Sequence, residues 1–551
     1  MQNEKNGSTL LVDCLVQQGV QYIFGIPGAK IDAVYDALID SPVKVIVCRH
    51  EQNAAFMAAA YGRITGKPGV VLVTSGPGVS NLATGLLTAT TEGDPIVAIG
   101  GNVARNMSLK SSHQSTDNIK LMEAVTKARM AILMTENIPE IIENAFRIAT
   151  EPRSGAVFIS IPQDISHQST TIKAPKVLPA INYGPAPDKT IQKAATLLNQ
   201  ARRPVLLLGL EATRAENTQA IRQLLTKTPL AVVCTYQAAG VITRELLHCF
   251  VGRVGLFKNQ PGDRLIDEAD VIATIGYDPV EYDPEIWSSA SKKIIHLDYK
   301  PAEIHTTYMP ELEVIGDIAL SLRKLAPELN LKIAEDYTRH IFEYQKELKE
   351  KISSGAKFTG KLLHPLRFIY ELNQVVDDNM MVISDIGTHY MWLARYFYCY
   401  QPHHLLFSNG QQTLGVALPW AIAACLVYPK KTVISVSGDG GFLFSANELE
   451  TAVREQVHFI HFVWCDGSYD MVREQQLMKY KRDSAVHFGP VDIVKYAESF
   501  GALGLRVSHS SEFSRVLKEA MQAEGPVLVE IPIDYSDSHE LFTAAHDFVG
   551  D

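Results

Sequence analysis

The sequence predicts an α/β protein of three doubly wound, mostly parallel-sheet domains. Three observations lead there. Short β-branched runs alternate with amphipathic helical stretches along most of the 551 residues, the pattern of βα units that build a parallel sheet. Several runs end in glycine-bearing turns that open helices, as at Gly25-Ile26-Pro27-Gly28, Ser75-Gly76-Pro77-Gly78 and Ser437-Gly438-Asp439-Gly440. A Pro-rich stretch at 173–187 and a charged, helix-like stretch at 333–357 interrupt the alternation.

Bulk properties narrow the class. At roughly 150 residues per domain the length suits three or so domains. A hydrophobic content of 46% and a charged content of 20% fit a soluble globular enzyme. The net charge of −10 argues against nucleic acid as a partner. The 7 cysteines are scattered and form no CxxC, so reduced thiols in a cytosol are expected, not a disulfide framework or zinc ribbon. The amino-terminal residues lack the uninterrupted apolar run of a signal peptide. No stretch of about 18 apolar residues appears, so no membrane span is expected.

The first domain is assigned to 1–172. A helix is expected at 10–18, with strands at 22–24, 43–48, 69–74, 96–99 and 156–161. An Ala-rich helix runs to Arg63 and another begins near Asn81. The central α/β domain, 188–330, has strands at 204–208, 230–234, 271–275 and 293–297. Residues 331–363 form a connecting helical segment with a solvated polar face. The third domain, 364–551, carries the stretch on which the functional reading turns.

That stretch is 433–469. A β-branched run at 433–436 ends in Ser437-Gly438-Asp439-Gly440-Gly441. A helix-like segment follows at 446–455, and a second apolar run at 459–464 ends in Cys465-Asp466-Gly467-Ser468-Tyr469. Strand, turn, helix and strand make a βαβ unit, and right-handed crossover leaves both strand ends on one edge of the sheet. Asp439 and Asp466 then lie on neighbouring or near-neighbouring loops. Two carboxylates and a free backbone carbonyl make an all-oxygen half-shell suited to Mg²⁺, an ion that shares itself with phosphate. Glycines at 438, 440 and 441 let a phosphate approach the backbone. The plainer alternatives are a Rossmann turn, or a loop in which Asp439 caps a helix. A Rossmann fingerprint starting at Gly438 needs glycine where Leu443 stands.

The residues resemble the thiamine diphosphate enzyme motif, Gly-Asp-Gly followed one crossover later by Asn-Asn. Here Cys465-Asp466 replaces the Asn pair, and Asp keeps the oxygen ligand. Residues 70–102 repeat the shape of 432–466, with Pro77 where the second copy carries Asp439. Two related domains are expected, of which only the second binds metal. Shared βαβ geometry accounts for part of the match.

Thiamine diphosphate chemistry needs a carboxyl group beside N1′ of the aminopyrimidine, so that the 4′-amino group becomes the local base for C2. Glu51, after a strand and at the start of the Ala-rich helix, is the candidate. Alone it reads more readily as a first-turn carboxylate favoured by the helix dipole. In context, Arg49-His50-Glu51-Gln52-Asn53-Ala54-Ala55 and Tyr61-Gly62-Arg63-Ile64-Thr65-Gly66 resemble the glutamate segment of acetolactate synthases and pyruvate oxidases. Residues 24–32 and 74–81, His113-Gln114, Gln411-Gln412-Thr413-Leu414-Gly415 and Gly489-Pro490-Val491-Asp492 are similar to catabolic acetolactate synthases. The resemblance covers nearly the whole chain.

It implies the fold of the thiamine diphosphate enzymes, with 1–172 binding the pyrimidine and 364–551 the diphosphate. Asp439 and Asp466 are implied Mg²⁺ ligands by side chain, and Ser468 by its carbonyl. Gly438, Gly440, Gly441, Tyr469 and the loop Gly387-Thr388-His389, after a strand at 381–384, are implied at the diphosphate. Leu414 is the implied wedge under the bent cofactor, where many relatives carry Met of similar volume. The Gln412 carbonyl would accept a hydrogen bond from the 4′-amino group, and Pro27 and Asn81 complete the cofactor set. Gln114 and Lys30 are implied near the reacting carbons, with Lys30 able to neutralise a pyruvate carboxylate. Each residue alone has an ordinary reading: a core leucine, a turn glycine, a surface lysine. The loop Gly276-Tyr277-Asp278-Pro279-Val280-Glu281-Tyr282-Asp283 lacks the arginine that grips the second keto acid in biosynthetic relatives. A flavin-free type is therefore favoured and FAD is not expected.

The implied activity joins two pyruvates into 2-acetolactate with loss of CO₂, through a cofactor ylid and enamine, and feeds acetoin and butanediol formation. The implied enzyme is cytoplasmic and homo-oligomeric, at least a dimer and by resemblance a tetramer. Its cofactor would sit between domains of two subunits. No nucleic-acid or membrane partner is expected. Competing readings are an FAD-dependent pyruvate oxidase, a pyruvate decarboxylase, and a regulatory relative without turnover.

Overall fold

Three six-stranded sheets, parallel throughout, carry the chain. The computed structural model describes residues 5–108, 110–179, 181–289 and 292–542. The outer ends of the assigned first and third domains, 1–4 and 543–551, lie outside the described residues.

The first sheet holds β1 (Tyr22–Ile26), β2 (Lys44–Val47), β3 (Gly69–Val73), β4 (Ile96–Asn102), β5 (Ala128–Ala131) and β6 (Ala156–Pro162). The second holds β7 (Pro204–Leu208), β8 (Ala231–Thr235), β9 (Phe250–Val254), β10 (Val271–Ile275), β11 (Lys293–Asp298) and β12 (Leu312–Ile315). The third holds β13 (Met380–Ser384), β14 (Leu405–Leu406), β15 (Thr432–Gly438), β16 (Ile460–Cys465), β17 (Leu503–Arg506) and β18 (Val527–Pro532). Helices cover both faces, so interior strands such as β3 and β7 are buried at every residue and read as unbroken apolar runs. Strands β5, β9, β12, β14, β17 and β18 add to those the sequence predicts. All but β18 are sheet edges.

The first sheet runs β2-β1-β3-β4-β6-β5 and the third β14-β13-β15-β16-β18-β17. Counted from each sheet's own first strand, the two orders are identical. The repeat seen at 70–102 and 432–466 falls on β3–β4 and β15–β16, equivalent pairs in that order. The second sheet differs. Its order, β12-β11-β10-β7-β8-β9, is the Rossmann order.

Two devices bind the sheets together. The helix Glu51–Thr65, buried from Asn53 to Ile64, packs on the all-apolar helix Ala417–Val427 of the third unit. Within the first unit the same helix packs closely on the helix Ala83–Glu92, where a Cβ on Gly85 would come within 2.4 Å of the Ala55 Cβ. The second device is a buried ion cluster. Arg63 Nε meets Asp94 at 2.7 Å, its Nη2 meets Glu92 at 3.3 Å, and its Nη1 donates to the Phe407 carbonyl at 2.7 Å. Glu92 in turn accepts the Gly410 N–H at 2.6 Å and the side-chain amide of Gln237. These charges survive burial because each is paired and hydrogen-bonded.

In a Rossmann sheet the crevice for a ligand opens where the order reverses, here between β7 and β10. The chain fills that place itself. Buried Glu281 accepts the N–H of Leu210 at 2.9 Å, the N–H of Asp278 at 3.0 Å and the Thr235 hydroxyl at 2.6 Å. Gly209 lies so close to the opposite loop that a Cβ there would meet the Gly276 carbonyl oxygen at 2.4 Å. Burial pushes the Glu281 acid up to about 8, against the pull of the Leu210 N–H and the Thr235 hydroxyl. A carboxyl raised in the folded state stabilises the fold in acid, and that contribution is lost as pH climbs. Glu281→Gln keeps an oxygen for the two N–H groups and carries no charge. Its melting temperature relative to the parent should rise between pH 4.5 and about 8 and level off above. A difference independent of pH across that window would contradict the assignment.

Candidate functional site

Parallel sheets gather their functional loops at the carboxyl ends of the strands. In the third sheet those loops follow β13, β15 and β16. Asp439 opens the short helix Asp439–Phe442 directly after β15. Its Oδ1 accepts the Gly440 N–H at 3.0 Å, and its Oδ2 accepts the N–H groups of Asp466 at 3.2 Å and Gly467 at 2.8 Å. The two loops are thereby pinned to each other. Desolvation pushes Asp439 up to about 6, opposed by the Gly467 N–H and aided by repulsion from Asp466. Desolvation likewise pushes Asp466 up to about 6, opposed by the Ser468 hydroxyl that donates to it. Two carboxylates on adjoining loops, Asp439 half-buried and Asp466 exposed, suit a divalent cation. Among the described residues no group of three or more His, Cys, Asp or Glu is disposed to hold a metal. An Asp439–Asp466 site would therefore be incomplete by itself, as fits an ion whose remaining ligands are carbonyl, water and phosphate oxygens.

The surroundings fit a diphosphate. A Cβ on Gly440 would lie 2.7 Å from the Tyr469 ring, and one on Gly441 would lie 3.2 Å from Asp385 Oδ2. The loop after β13 brings Gly387, Thr388 and His389. His389 is buried, and neither ring nitrogen has a hydrogen-bond partner. Its ring lies against Gly387 and Gly438, whose added Cβ atoms would stand 2.7 Å and 3.7 Å from His389 Cε1. Burial pushes His389 down to about 3, so the ring is neutral and offers one N–H and one acceptor. An orphaned imidazole beside a glycine-lined cradle is what a bound phosphate oxygen would satisfy.

Two acids in this cradle escape a reading of the motif alone. Buried Asp385 accepts the N–H of Ile386 at 2.8 Å and of Gly415 at 2.9 Å. It thus ties the loop after β13 to the segment carrying Gln412 and Leu414. Burial pushes it up to about 7 against those N–H groups. Asp470, one residue past Tyr469, accepts the Thr388 hydroxyl at 2.7 Å. The available signal was position, since Asp385 directly follows the apolar run of β13. Gln412 takes a left-handed backbone, φ +49°, which is uncommon outside glycine. Leu414 is half-buried at the edge of the core beneath it.

The first sheet assembles the other group of expected residues at its own carboxyl edge. Glu51 is the first residue of its helix. Its Oε2 accepts the Asn81 amide at 2.9 Å, and its Oε1 would lie 3.6 Å from a Cβ on Gly78. Gln114, also left-handed at φ +57°, accepts the Ser75 hydroxyl at 3.3 Å and packs against Gly76. Pro27 is exposed just past β1. Lys30 donates to the Gln163 side chain at 3.1 Å, so its amino group is tethered. The residues therefore form two groups on two sheet edges, and contacts such as Thr413 Oγ1 with Thr88 Oγ1 at 2.8 Å tie the two units together.

Two equivalent sheets, with a Gly-Asp-Gly cradle on the second, define the architecture of a thiamine pyrophosphate enzyme. Family models described as thiamine pyrophosphate enzyme N-terminal TPP binding, central and C-terminal TPP binding domains match 5–122, 191–325 and 385–531. The chain is 52% identical to the acetolactate synthase of Bacillus subtilis (strain 168) over 540 residues, 98% of this chain and 95% of the relative. It is 44% identical to the catabolic acetolactate synthase of Raoultella terrigena, covering 98% and 97%. It is 30% identical to the acetolactate synthase isozyme 2 large subunit of Escherichia coli (strain K12), covering 96% of each. The chain belongs to the acetolactate synthase family of thiamine pyrophosphate enzymes.

Asp385→Ala strands the N–H groups of Ile386 and Gly415 and frees the Gln412–Leu414 segment. A buried unsatisfied donor costs about 1–3 kcal/mol, so thiamine diphosphate should bind roughly 5- to 150-fold more weakly by calorimetric titration. Unchanged affinity would remove Asp385 from the cradle.

Proposed function

We propose that this chain condenses two pyruvate molecules into 2-acetolactate with release of CO₂, using thiamine diphosphate and Mg²⁺. The observation that carries the reading is the pairing of a Glu51–Asn81 edge on one sheet with an Asp439–Asp466 cradle on its structural repeat. Identity of 52% to an acetolactate synthase supports the same reaction. When bound, thiamine diphosphate supplies a carbanion centre that adds to a keto carbon and holds the electrons left when CO₂ departs.

The chain's own residues do the rest. Glu51 would be the group that exchanges a proton at N1′ of the aminopyrimidine, and Asn81 holds its Oε2. Asp439 and Asp466 would hold Mg²⁺ by side chain and Ser468 by its carbonyl. Gly438, Gly440 and Gly441 leave the backbone open to the diphosphate, Tyr469 lies beside it, and Thr388 and His389 complete that wall. Leu414, steadied through Gly415 by Asp385, would support the cofactor, and the Gln412 carbonyl would be available to its amino group. Lys30 and Gln114 face the keto acids, with Pro27 at the mouth.

The two groups sit on separate sheets, so the complete site is read as lying between two chains. The minimal active unit is then a dimer, and the assembly a tetramer. FAD is not expected. Glu281 occupies the backbone donors of Leu210 and Asp278 at the point where a dinucleotide pyrophosphate would bind, which counts against a flavin-bearing pyruvate oxidase. Free cysteines fit a reducing cytoplasm, and the product would feed acetoin and butanediol formation.

The direct test is a product assay on pyruvate, with and without 2-ketobutyrate, on a preparation supplied with thiamine diphosphate and Mg²⁺. Acetolactate from a colourless enzyme is expected; acetyl phosphate or acetaldehyde as the main product would overturn the assignment. Glu51→Gln should still bind the cofactor and should lose about 10²- to 10⁴-fold in turnover, the range for a positioned acid–base group. Full turnover in that variant removes Glu51 from the chemistry.

A further inference from the structure

The segment that follows the Gly-Asp-Gly cradle, Ala446–Glu448 continuing as the helix Leu449–Arg454, lies across the loop that leads into Glu51. Glu448 is wholly buried in this seam. Its Oε1 accepts the N–H of Arg49 at 2.9 Å, the N–H of His50 at 3.1 Å and the side-chain amide of Asn53 at 3.0 Å. Its Oε2 accepts the Thr451 hydroxyl at 2.6 Å, from its own helix. Outer contacts brace the same seam. Arg454 donates to the Val47 carbonyl at the end of β2, and Lys44 pairs with Glu455 at 2.8 Å.

A buried carboxylate must have its lone pairs met, and this one does. What singles it out is the origin of its donors. Three of the four are residues 49, 50 and 53, which bracket Glu51 on both sides. The helix Glu51–Thr65 begins at His50, whose Nδ1 caps the Gln52 N–H at 3.1 Å. Its first turn is held from inside by the His50 ring and from across the seam by Glu448. Charge-assisted hydrogen bonds to backbone N–H groups are the strong kind, and two of them converge on one oxygen.

We propose that Glu448 is a positioning residue for Glu51. By fixing the N–H groups of Arg49 and His50 it sets the first helical turn, so that the Glu51 carboxylate stays against Asn81. Glu448 touches neither Glu51 nor the cradle in this account and takes no part in proton transfer. The proposal rests on the reading of Glu51 as the proton-exchanging acid. A misplacement of about 1 Å in a catalytic group can cost on the order of 10²-fold.

The test compares Glu448→Ala, Glu448→Gln and Glu51→Gln in the full-length enzyme. Glu448→Ala should lower kcat for pyruvate by roughly ten- to a hundredfold with KM little changed. Glu448→Gln, whose amide oxygen accepts the same N–H bonds, should recover kcat to within about threefold of the parent. In enzyme without cofactor, amide hydrogen exchange across 49–54 should quicken about tenfold in the Ala variant, not in the Gln variant, and not elsewhere in the first sheet. Should Glu448→Ala fail to fold, Glu448→Asp, which draws the oxygen back by one methylene, reads the same quantities. Unchanged kcat and unchanged exchange in the Ala variant overturn the proposal. So does a Gln variant as impaired as Ala, or exchange that quickens throughout the sheet. If Glu51→Gln itself keeps full turnover, the reading of Glu51 fails instead, while local exchange still reports whether Glu448 holds the loop.

Discussion

The pinning of Asp439 to the backbone of Asp466 and Gly467 is the interaction on which the rest of the site depends. It spans the carboxyl ends of β15 and β16 and fixes two acids at one point of the sheet edge. Neither acid is comfortable there, since burial and repulsion push both up to about 6. A fold tolerates such a pair when a cation completes it. Everything around the pair removes bulk or adds donors: glycines at 438, 440 and 441, an imidazole without partners, and a Thr388 hydroxyl oriented by Asp470. Asp385 extends the arrangement by locking the Leu414 loop to the same edge.

The repeat of one strand order in the first and third sheets explains how a second half-site arises. Parallel crossover connections put every functional loop of a sheet on its carboxyl edge. Duplicating the sheet duplicates the edge. The two edges carry different residues: Pro77 stands in the first where Asp439 stands in the third, and Glu51 with Asn81 places a carboxyl group on the first edge. The middle sheet has the topology of a dinucleotide binder, yet the Glu281 side chain occupies its switch point and takes up the backbone donors there. Arg63 and Glu92 link all three units through one buried cluster that ends on the backbone of Gly410, just ahead of Gln412.

Much of this was legible in the sequence, and the limits have physical causes. Interior strands are covered on both faces, so β3, β7, β10 and β15 announce themselves as apolar runs. Edge strands are not. β5 reads Ala-Arg-Met-Ala and is half-buried at every residue, and β17 reads Leu-Gly-Leu-Arg with both ends exposed. No periodicity marks such segments, and only pairing with a neighbour makes them strands. The glycine and carboxylate motifs were legible because phosphate and cation chemistry restricts which residues can stand there. Asp385, Asp470 and Glu448 were not, because their partners are backbone N–H groups or hydroxyls far away in sequence. The tie from the Lys30 amino group to Gln163 was not legible either. Long-range hydrogen bonds of this kind leave no local signature.

The central claim is that a carboxyl edge from one chain meets a cation cradle from another. Complementation between chains tests it most directly. Glu51→Gln and Asp439→Ala are expressed separately and together, and the co-expressed oligomers are purified and assayed on pyruvate. Each variant alone should be nearly inactive. In a mixed dimer one of the two sites joins an intact Glu51 to an intact cradle, so random mixing should restore about a quarter of the parent activity. Mixed oligomers that assemble yet stay inactive would show that both groups must come from the same chain, and the account would fail.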